Sequence, residues 1–296
     1  ADVANVTMNK LELMGRFSHE NAVVMPDLRT VFLSDDGSGT VLFKFVADNP
    51  SDMSSGSLYA AKATQSAGVK DPAEAAFAIE WIKIATGNEA TIEAAVASFN
   101  GTLAEAKQIT AQQINDYAES KLNADLDTSG TVASNPFTDD RVGFLESRKA
   151  AAAMGATAEF NKMEGVNINF GLADSWWNNG AADGKQAYMY MAMSDTTGAM
   201  SDSSGNIQLD GTHGKCGAVY RMKLVKNSAG LVDIKTLSPA VVGGPYDGSR
   251  STNRCNINNI SNPDNLVVLD DGRVLIGEDT GNHQNNIIWL FEDPAL

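Results

Sequence analysis

Histidine and cysteine are scarce in this chain of 296 residues, which has His19, His213 and His283 of the first and Cys216 and Cys255 of the second. So few imidazoles and thiols argue against a histidine-rich zinc centre. Basic residues are also short, with 22 Lys and Arg against 37 Asp and Glu, for a formal net charge of −15. That argues against nucleic acid, which needs a basic face, and against docking on anionic lipid through a basic patch. No apolar run approaches the ~20 residues that a membrane-spanning helix requires. There is no Gly-x-x-x-x-Gly-Lys-Ser/Thr phosphate loop and no Gly-x-Ser-x-Gly elbow. Nor does a dinucleotide fingerprint follow a strand and open a helix. The first residue is not Met and no signal peptide is visible, so the sequence reads as processed, truncated or a fragment.

What the chain has is carboxylate. An excess of Asp and Glu suits hard cations such as calcium, and it equally suits an acidic, solvated surface. The two cysteines both sit in Gly/Asn-rich loop sequence. The expected arrangement is one disulfide, which implies an oxidising compartment.

Three segments share a grammar. The first runs Glu20-Asn21-Ala22-Val23-Val24, then Thr30-Val31-Phe32-Leu33-Ser34-Asp35-Asp36, then Val41-Leu42-Phe43-Lys44-Phe45. The last runs Asp264-Asn265-Leu266-Val267-Val268, then Arg273-Val274-Leu275-Ile276-Gly277-Glu278-Asp279, then Ile287-Ile288-Trp289-Leu290-Phe291. A looser middle copy has Glu164-Gly165-Val166-Asn167-Ile168 and, after a long loop, Tyr188 to Asp195. In each copy a carboxylate precedes a short apolar strand, and a second strand ends in an acid. Asn21 and Asn265 both follow the acid, and Asp27 and Asp271 both lie further on at equal spacing. Repeated groups of short antiparallel strands predict a mainly β fold of the propeller kind. Residues 1–70 and 159–296 are expected to hold the blades.

Residues 71–158 read as an α-helical insertion. Asp71-Pro72 suits a helix start. Ile92, Val96 and Phe99 share one helical face that Gly101 can end. Thr102 with Glu105 and Thr110 with Gln113 fit capping boxes, and Arg141 to Met154 reads as a helix stopped by Gly155. Without the insertion about 200 residues remain, enough at roughly 45 per blade for three to four blades. An unclosed ring exposes sheet edges, so the chain is expected to pair with another piece or another copy of itself, or to belong to a smaller open β fold.

The repeat also locates chemistry. Matching positions on the inner strands of successive blades converge near one axis, so Glu20, Glu164 and Asp264 are expected to meet. Converging carboxylates repel and raise one another's pKa values, and a bound cation removes the conflict. The alternative is three turn-capping acids that face solvent. Glu278 and Asp279 end a second strand and are candidate metal ligands, as are Asp35 and Asp36. Lys162 is a candidate for holding a phosphate oxygen, and His19 for a catalytic or ligating role; His283 has the same ambiguity. A second calcium candidate is Asp125-Leu126-Asp127-Thr128-Ser129-Gly130-Thr131-Val132. It matches the opening positions of an EF-hand-type loop, with ligands from Asp125, Asp127 and Ser129, although Pro136 stands where the bidentate Glu belongs.

Gly15-Arg16-Phe17-Ser18-His19-Glu20 before an apolar strand resembles a motif of PhoX-type alkaline phosphatases. Asn262-Pro263-Asp264-Asn265-Leu266 and Gly277-Glu278-Asp279 resemble two others, and Lys162-Met163-Glu164 falls where that family has an Arg-Pro-Glu-like stretch. The resemblance implies about half of a six-bladed propeller, corresponding to the family's C-terminal part. It implies a phosphomonoesterase acting on small phosphate esters with calcium and iron (Ca2+ and Fe3+), exported to the periplasm, secreted or held at the cell surface. It carries over Glu20, Glu164 and Asp264 as metal ligands and Lys162 as the phosphate contact. The family's Cys-Glu-Glu element, which supplies the iron-binding Cys, is absent from this sequence. Two other readings stay open: a non-catalytic, calcium-stiffened extracellular module that assembles through an open edge, and a lactonase-like hydrolase.

Overall fold

A computed structural model describes residues 7–99, 140–180 and 186–294. Alternating apolar residues build two antiparallel meanders. The first holds β1 (His19–Val24), β2 (Thr30–Asp35), β4 (Phe43–Asn49), β5 (Asp52–Gln65) and β6 (Phe77–Asn88), with the short β3 (Ser38–Thr40) looped out between β2 and β4. β3 pairs instead with β7 (Phe160–Asn161). The second meander holds β8 (Met163–Ile168), β9 (Tyr188–Met193), β10 (Ala218–Lys226) and β12 (Thr236–Val242), with β11 (Val232–Ile234) paired to the far end of β10. Pairing of β12 with β6 joins the two into one ladder of ten strands. Its end strands, β1 and β8, lie against each other, so the sheet is barrel-like and nearly closed. β13 (Pro263–Val268), β14 (Val274–Glu278) and β15 (Ile288–Phe291) form a separate three-stranded sheet whose first strand packs against β8.

The fold is thus mainly β, and the predicted helical segment needs correction at its start. Asp71-Pro72 does not open a helix. Asp71 makes a single turn, accepting from the Ala73 N–H through Oδ1 and from the Glu74 and Ala75 N–H groups through its carbonyl. The chain then enters β6, whose twelve residues pair along the fourteen-residue β5. Phe77, Ile79 and Ile84 are buried on it while Ala78, Glu80 and Lys83 face out. A long partner strand and that alternation outweigh the local capping signals. Helix does follow, over Glu89–Phe99, Arg141–Leu145 and Ser147–Ala153, the last followed by Gly155 at φ +86°. The predicted calcium loop at Asp125, Asp127 and Ser129, Gly101 and both capping boxes lie outside the described residues.

Apolar burial holds the layers together. Phe77, Phe160, Tyr220 and the methionines Met163, Met189, Met191 and Met193 share one core. Phe43, Phe45, Ile84 and Phe144 share a second. Tyr190, Val274 and Ile276 join the three-stranded sheet to β9. Cys216 and Cys255 form a disulfide across 39 residues of chain, with Cα atoms 5.8 Å apart. Closing such a loop stabilises by about 4 kcal/mol in the chain-entropy account. Replacing both cysteines by serine is expected to lower the unfolding free energy by about that amount, measured by urea denaturation.

Candidate metal centre

Three hairpins share one design at the heads of β1, β8 and β13. In each, a residue just before the strand offers its carbonyl to the backbone N–H of a residue at the end of the partner strand. Ser18 accepts from Asp36 at 2.9 Å, Lys162 from Ser194 at 2.9 Å, and Asn262 from Asp279 at 3.1 Å. Two residues beyond each acceptor stands the repeated acid: Glu20, Glu164 or Asp264. The strand register slips at the acid in all three cases. Glu20 and Asn21 sit opposite Ser34, Glu164 and Gly165 sit opposite Ala192, and Asp264 is the extra residue between the Pro263–Glu278 and Asn265–Gly277 pairs. A β-bulge of this kind re-aims a side chain and bends the strand. Because β8 lies between β1 and β13, the three bulges turn their acids toward one place.

That place is an open cavity of about 570 Å³. Glu20, Glu164 and Asp264 line it, as the repeat predicts, and Asp36, Asp195 and Asp279 come from the ends of the partner strands. Ser194, Asn262 and Lys162 complete the wall. Carboxylate oxygens of Glu20, Asp36 and Glu164 all lie within 4.8 Å of one another. Glu164 is buried, and its carboxyl is pushed up to about 7, first by burial and then by Asp36 and Asp264. The Ser194 hydroxyl donates to its Oε1 at 2.8 Å and opposes that shift. Asp264 is also raised, by burial and by Asp279 and Asp36. Lys162 answers the crowding: its Nζ donates to Asp36 Oδ1 at 2.7 Å, and that bond raises its pKa.

Other expected residues are placed differently. Glu278 is not on the cavity wall. Its buried carboxylate is taken up by the Ser261 N–H at 2.9 Å, the Ile287 N–H at 3.0 Å, the Trp289 indole at 2.7 Å and His283 Nδ1 at 3.0 Å. It anchors the loop around β15, and His283 belongs to that anchor. Asp35 has the same place in the first hairpin, bonded to the Ser18 N–H and to Arg148. His19 does not line the cavity either. Its Nε2 bonds the Gly15 carbonyl at 3.0 Å, and its ring lies tilted against Phe17, which stacks in turn on Phe43. The Gly15–Glu20 motif therefore works as an aromatic anchor that fixes where Glu20 starts its bulge.

The profile of the alkaline phosphatase PhoX family matches residues 1–293. The chain belongs to that family. A comparison with curated proteins gives no match. Among solved structures, Pseudomonas fluorescens PhoX in complex with vanadate, a transition state analogue, is similar at 20% identity with a TM-score of 0.59. The match covers 97% of this chain and 44% of that one, so the chain spans less than half the length of its structural relative.

For a PhoX-family chain, the acidic cluster is a possible metal-binding site. Carboxylate oxygens with the Ser194 hydroxyl beside them fit a hard cation. Neither cysteine of this chain is free to supply a thiolate, because both are bonded in the disulfide. Sequence reasoning passed over Ser194 and Asp195 and did not separate Asp36 from Asp35. The available signal was positional, since Asp36, Ser194 and Asp279 each close the partner strand of a repeated hairpin.

Proposed function

We propose that this cavity is part of the metal-binding site of a phosphomonoester hydrolase and that calcium is the cation it holds. The observation carrying the reading is the threefold repeated bulge, which gathers acids from three hairpins in a member of the alkaline phosphatase PhoX family. Bound vanadate in the P. fluorescens relative supports phosphate esters as the substrate class. The three hairpins read as the inner parts of neighbouring propeller blades, with β1, β8 and β13 along the axis. The disulfide supports export to the periplasm or beyond.

Glu20, Asp36 and Glu164 would hold the cation, with Asp264 and Asp279 completing its surroundings. A bound calcium supplies neutralising charge for phosphoryl oxygens and activates an oxygen nucleophile. The protein's own groups do the positioning. Ser194 orients Glu164 by donating to Oε1. Asn262 locks the second hairpin to the third, donating to the Ser194 carbonyl at 2.6 Å and accepting from Thr280 Oγ1 at 2.6 Å and Asn282 Nδ2 at 3.0 Å. The Lys162 ammonium is the one cation among the described residues lining the cavity, and the proposed role for it is to donate to a phosphoryl oxygen. The test is hydrolysis of p-nitrophenyl phosphate by the full-length protein with calcium, against an EGTA control, alongside calorimetric titration with calcium chloride. Absence of turnover in the full-length protein would remove the hydrolase reading, and absence of calcium binding would remove the metal site as well.

The raised carboxyl of Glu164 sets a pH dependence. Because the fold favours the neutral form, Glu164 contributes stability that is present below its unfolded value of 4.5 and lost as pH rises through about 7. A cation must displace that proton. Calcium affinity is therefore expected to climb about tenfold per pH unit up to about 7 and then level off. Titrations between about pH 5.5 and 8.5, in buffers of different ionisation heat, check both the slope and the proton release. A flat profile counts against Glu164 as a ligand.

A further inference from the structure

We propose that Lys162 is an internal counter-cation: a bound divalent ion displaces it from Asp36, and loading the cavity frees its ammonium group for a phosphoryl oxygen. This rests on the reading of the cavity as a cation site. Asp36 serves two partners. Its carboxylate belongs to the triad with Glu20 and Glu164, and its Oδ1 receives the Lys162 ammonium at 2.7 Å. A hard cation seated on the triad competes with that ammonium for the Asp36 carboxylate, and like charges this close repel.

The local structure suits an exchange. The base of Lys162 is fixed: its N–H donates to the Gly37 carbonyl at 2.7 Å, its carbonyl accepts from Ser194, and its φ is +50°. Only the far end is free to move. The side chain is 42% exposed, so retracting the ammonium gives up little packing. A lysine is a point charge on a four-carbon stem with rotatable bonds, whereas an arginine would grip a carboxylate through two parallel bonds. With the cavity free of cation, the Lys162–Asp36 pair holds one carboxylate of the triad in place against its neighbours. With a cation present, that task passes to the ion.

The alternative is a fixed clamp in which Lys162 stays on Asp36 throughout. A double-mutant cycle separates the two. Calcium chloride is titrated into the cation-free chain carrying no change, Lys162→Met, Asp36→Asn, or both. Exchange predicts that Lys162→Met tightens calcium binding about tenfold in the wild-type background but less than about threefold beside Asp36→Asn. Through-space repulsion alone tightens binding by the same factor in both backgrounds, and equal factors overturn the proposal. So does unchanged or weakened binding in Lys162→Met. Lys162→Gln replaces it if the methionine variant does not fold. Inorganic phosphate gives the second arm. Calcium is expected to tighten phosphate binding in the wild type, and most of that coupling is lost in Lys162→Met; coupling retained in full also overturns the proposal. A wild-type chain that binds no calcium shows itself before any variant is made, and that outcome rejects the cation site rather than the exchange alone.

Discussion

Glu164→Gln is expected to weaken calcium binding by at least ~100-fold, because changes even to residues behind metal ligands cost 10–100-fold. The substitution keeps the shape of the side chain, and an amide oxygen can still accept from Ser194. It removes charge from the most crowded point of the cavity. The two states of the protein should therefore respond in opposite directions. Without cation at pH 8, wild-type Glu164 is forced to ionise while buried beside Asp36 and Asp264, so the variant is expected to be the more stable protein. At pH 5 the wild-type carboxyl is protonated and the difference largely disappears. With calcium at about a hundred times its dissociation constant, the wild type gains about 2.7 kcal/mol and the variant gains little. For a chain of this size that corresponds to a rise in melting temperature on the order of 5 °C, present in one protein and missing from the other. Differential scanning calorimetry at both pH values, with calcium and with EGTA, reads the crossing. Parallel behaviour of the two proteins under all four conditions would falsify the role of Glu164.

The acids of this cavity were partly legible in the sequence because the hairpin repeats in register. Glu20, Glu164 and Asp264 hold one position in three copies, and position survives where residue identity drifts from Glu to Asp. The doublets Asp35-Asp36 and Glu278-Asp279 were harder to read. Neighbouring strand residues point to opposite sides, and composition does not say which side is the cavity. The structure turns the first member of each doublet into buried anchorage, bonded to Arg148 in one hairpin and to Trp289 and His283 in the other, and the second member toward the cavity. Arg148 stands 113 residues from Asp35, so no local pattern reports that anchor, and the nearer Trp289 and His283 reach Glu278 only through the turn that leads into β15. His19 misled for a similar reason: beside an acid it looks like a ligand, yet its partners are Phe17 and the Gly15 carbonyl. The misreading at β6 was one of balance. Its alternation was visible in Phe77 to Ile84, but Asp71-Pro72 and the alanines nearby argued for helix, and the deciding partner strand lay in β5.

Gly165→Ala is expected to damage the site without removing a single ligand. A Cβ on Gly165 would lie 2.5 Å from the Asp264 carbonyl oxygen, 3.0 Å from the Leu266 nitrogen and 3.3 Å from the Asn265 Cα. All three are backbone atoms of β13, so no rotamer change relieves the clash. β13 must move away from β8, and overpacking of this kind costs about 1–3 kcal/mol or more. Asp264 moves with the strand that carries it, so calcium affinity is expected to fall by about tenfold or more alongside the loss of stability. Gly277→Ala is the matched control in the same sheet. Its Cβ would meet only Asn265 Cβ and O at 3.7 Å, ordinary contact distances, and both properties should stay close to wild type. Thermal unfolding and calcium titration of the two variants decide the matter. If Gly165→Ala matches Gly277→Ala in both measurements, β8 and β13 are not in the close contact that brings Asp264 into the cavity, and the third hairpin has no part in the centre. If Gly165→Ala loses both, the spacing between inner strands is as much a determinant of cation binding as the carboxylates themselves.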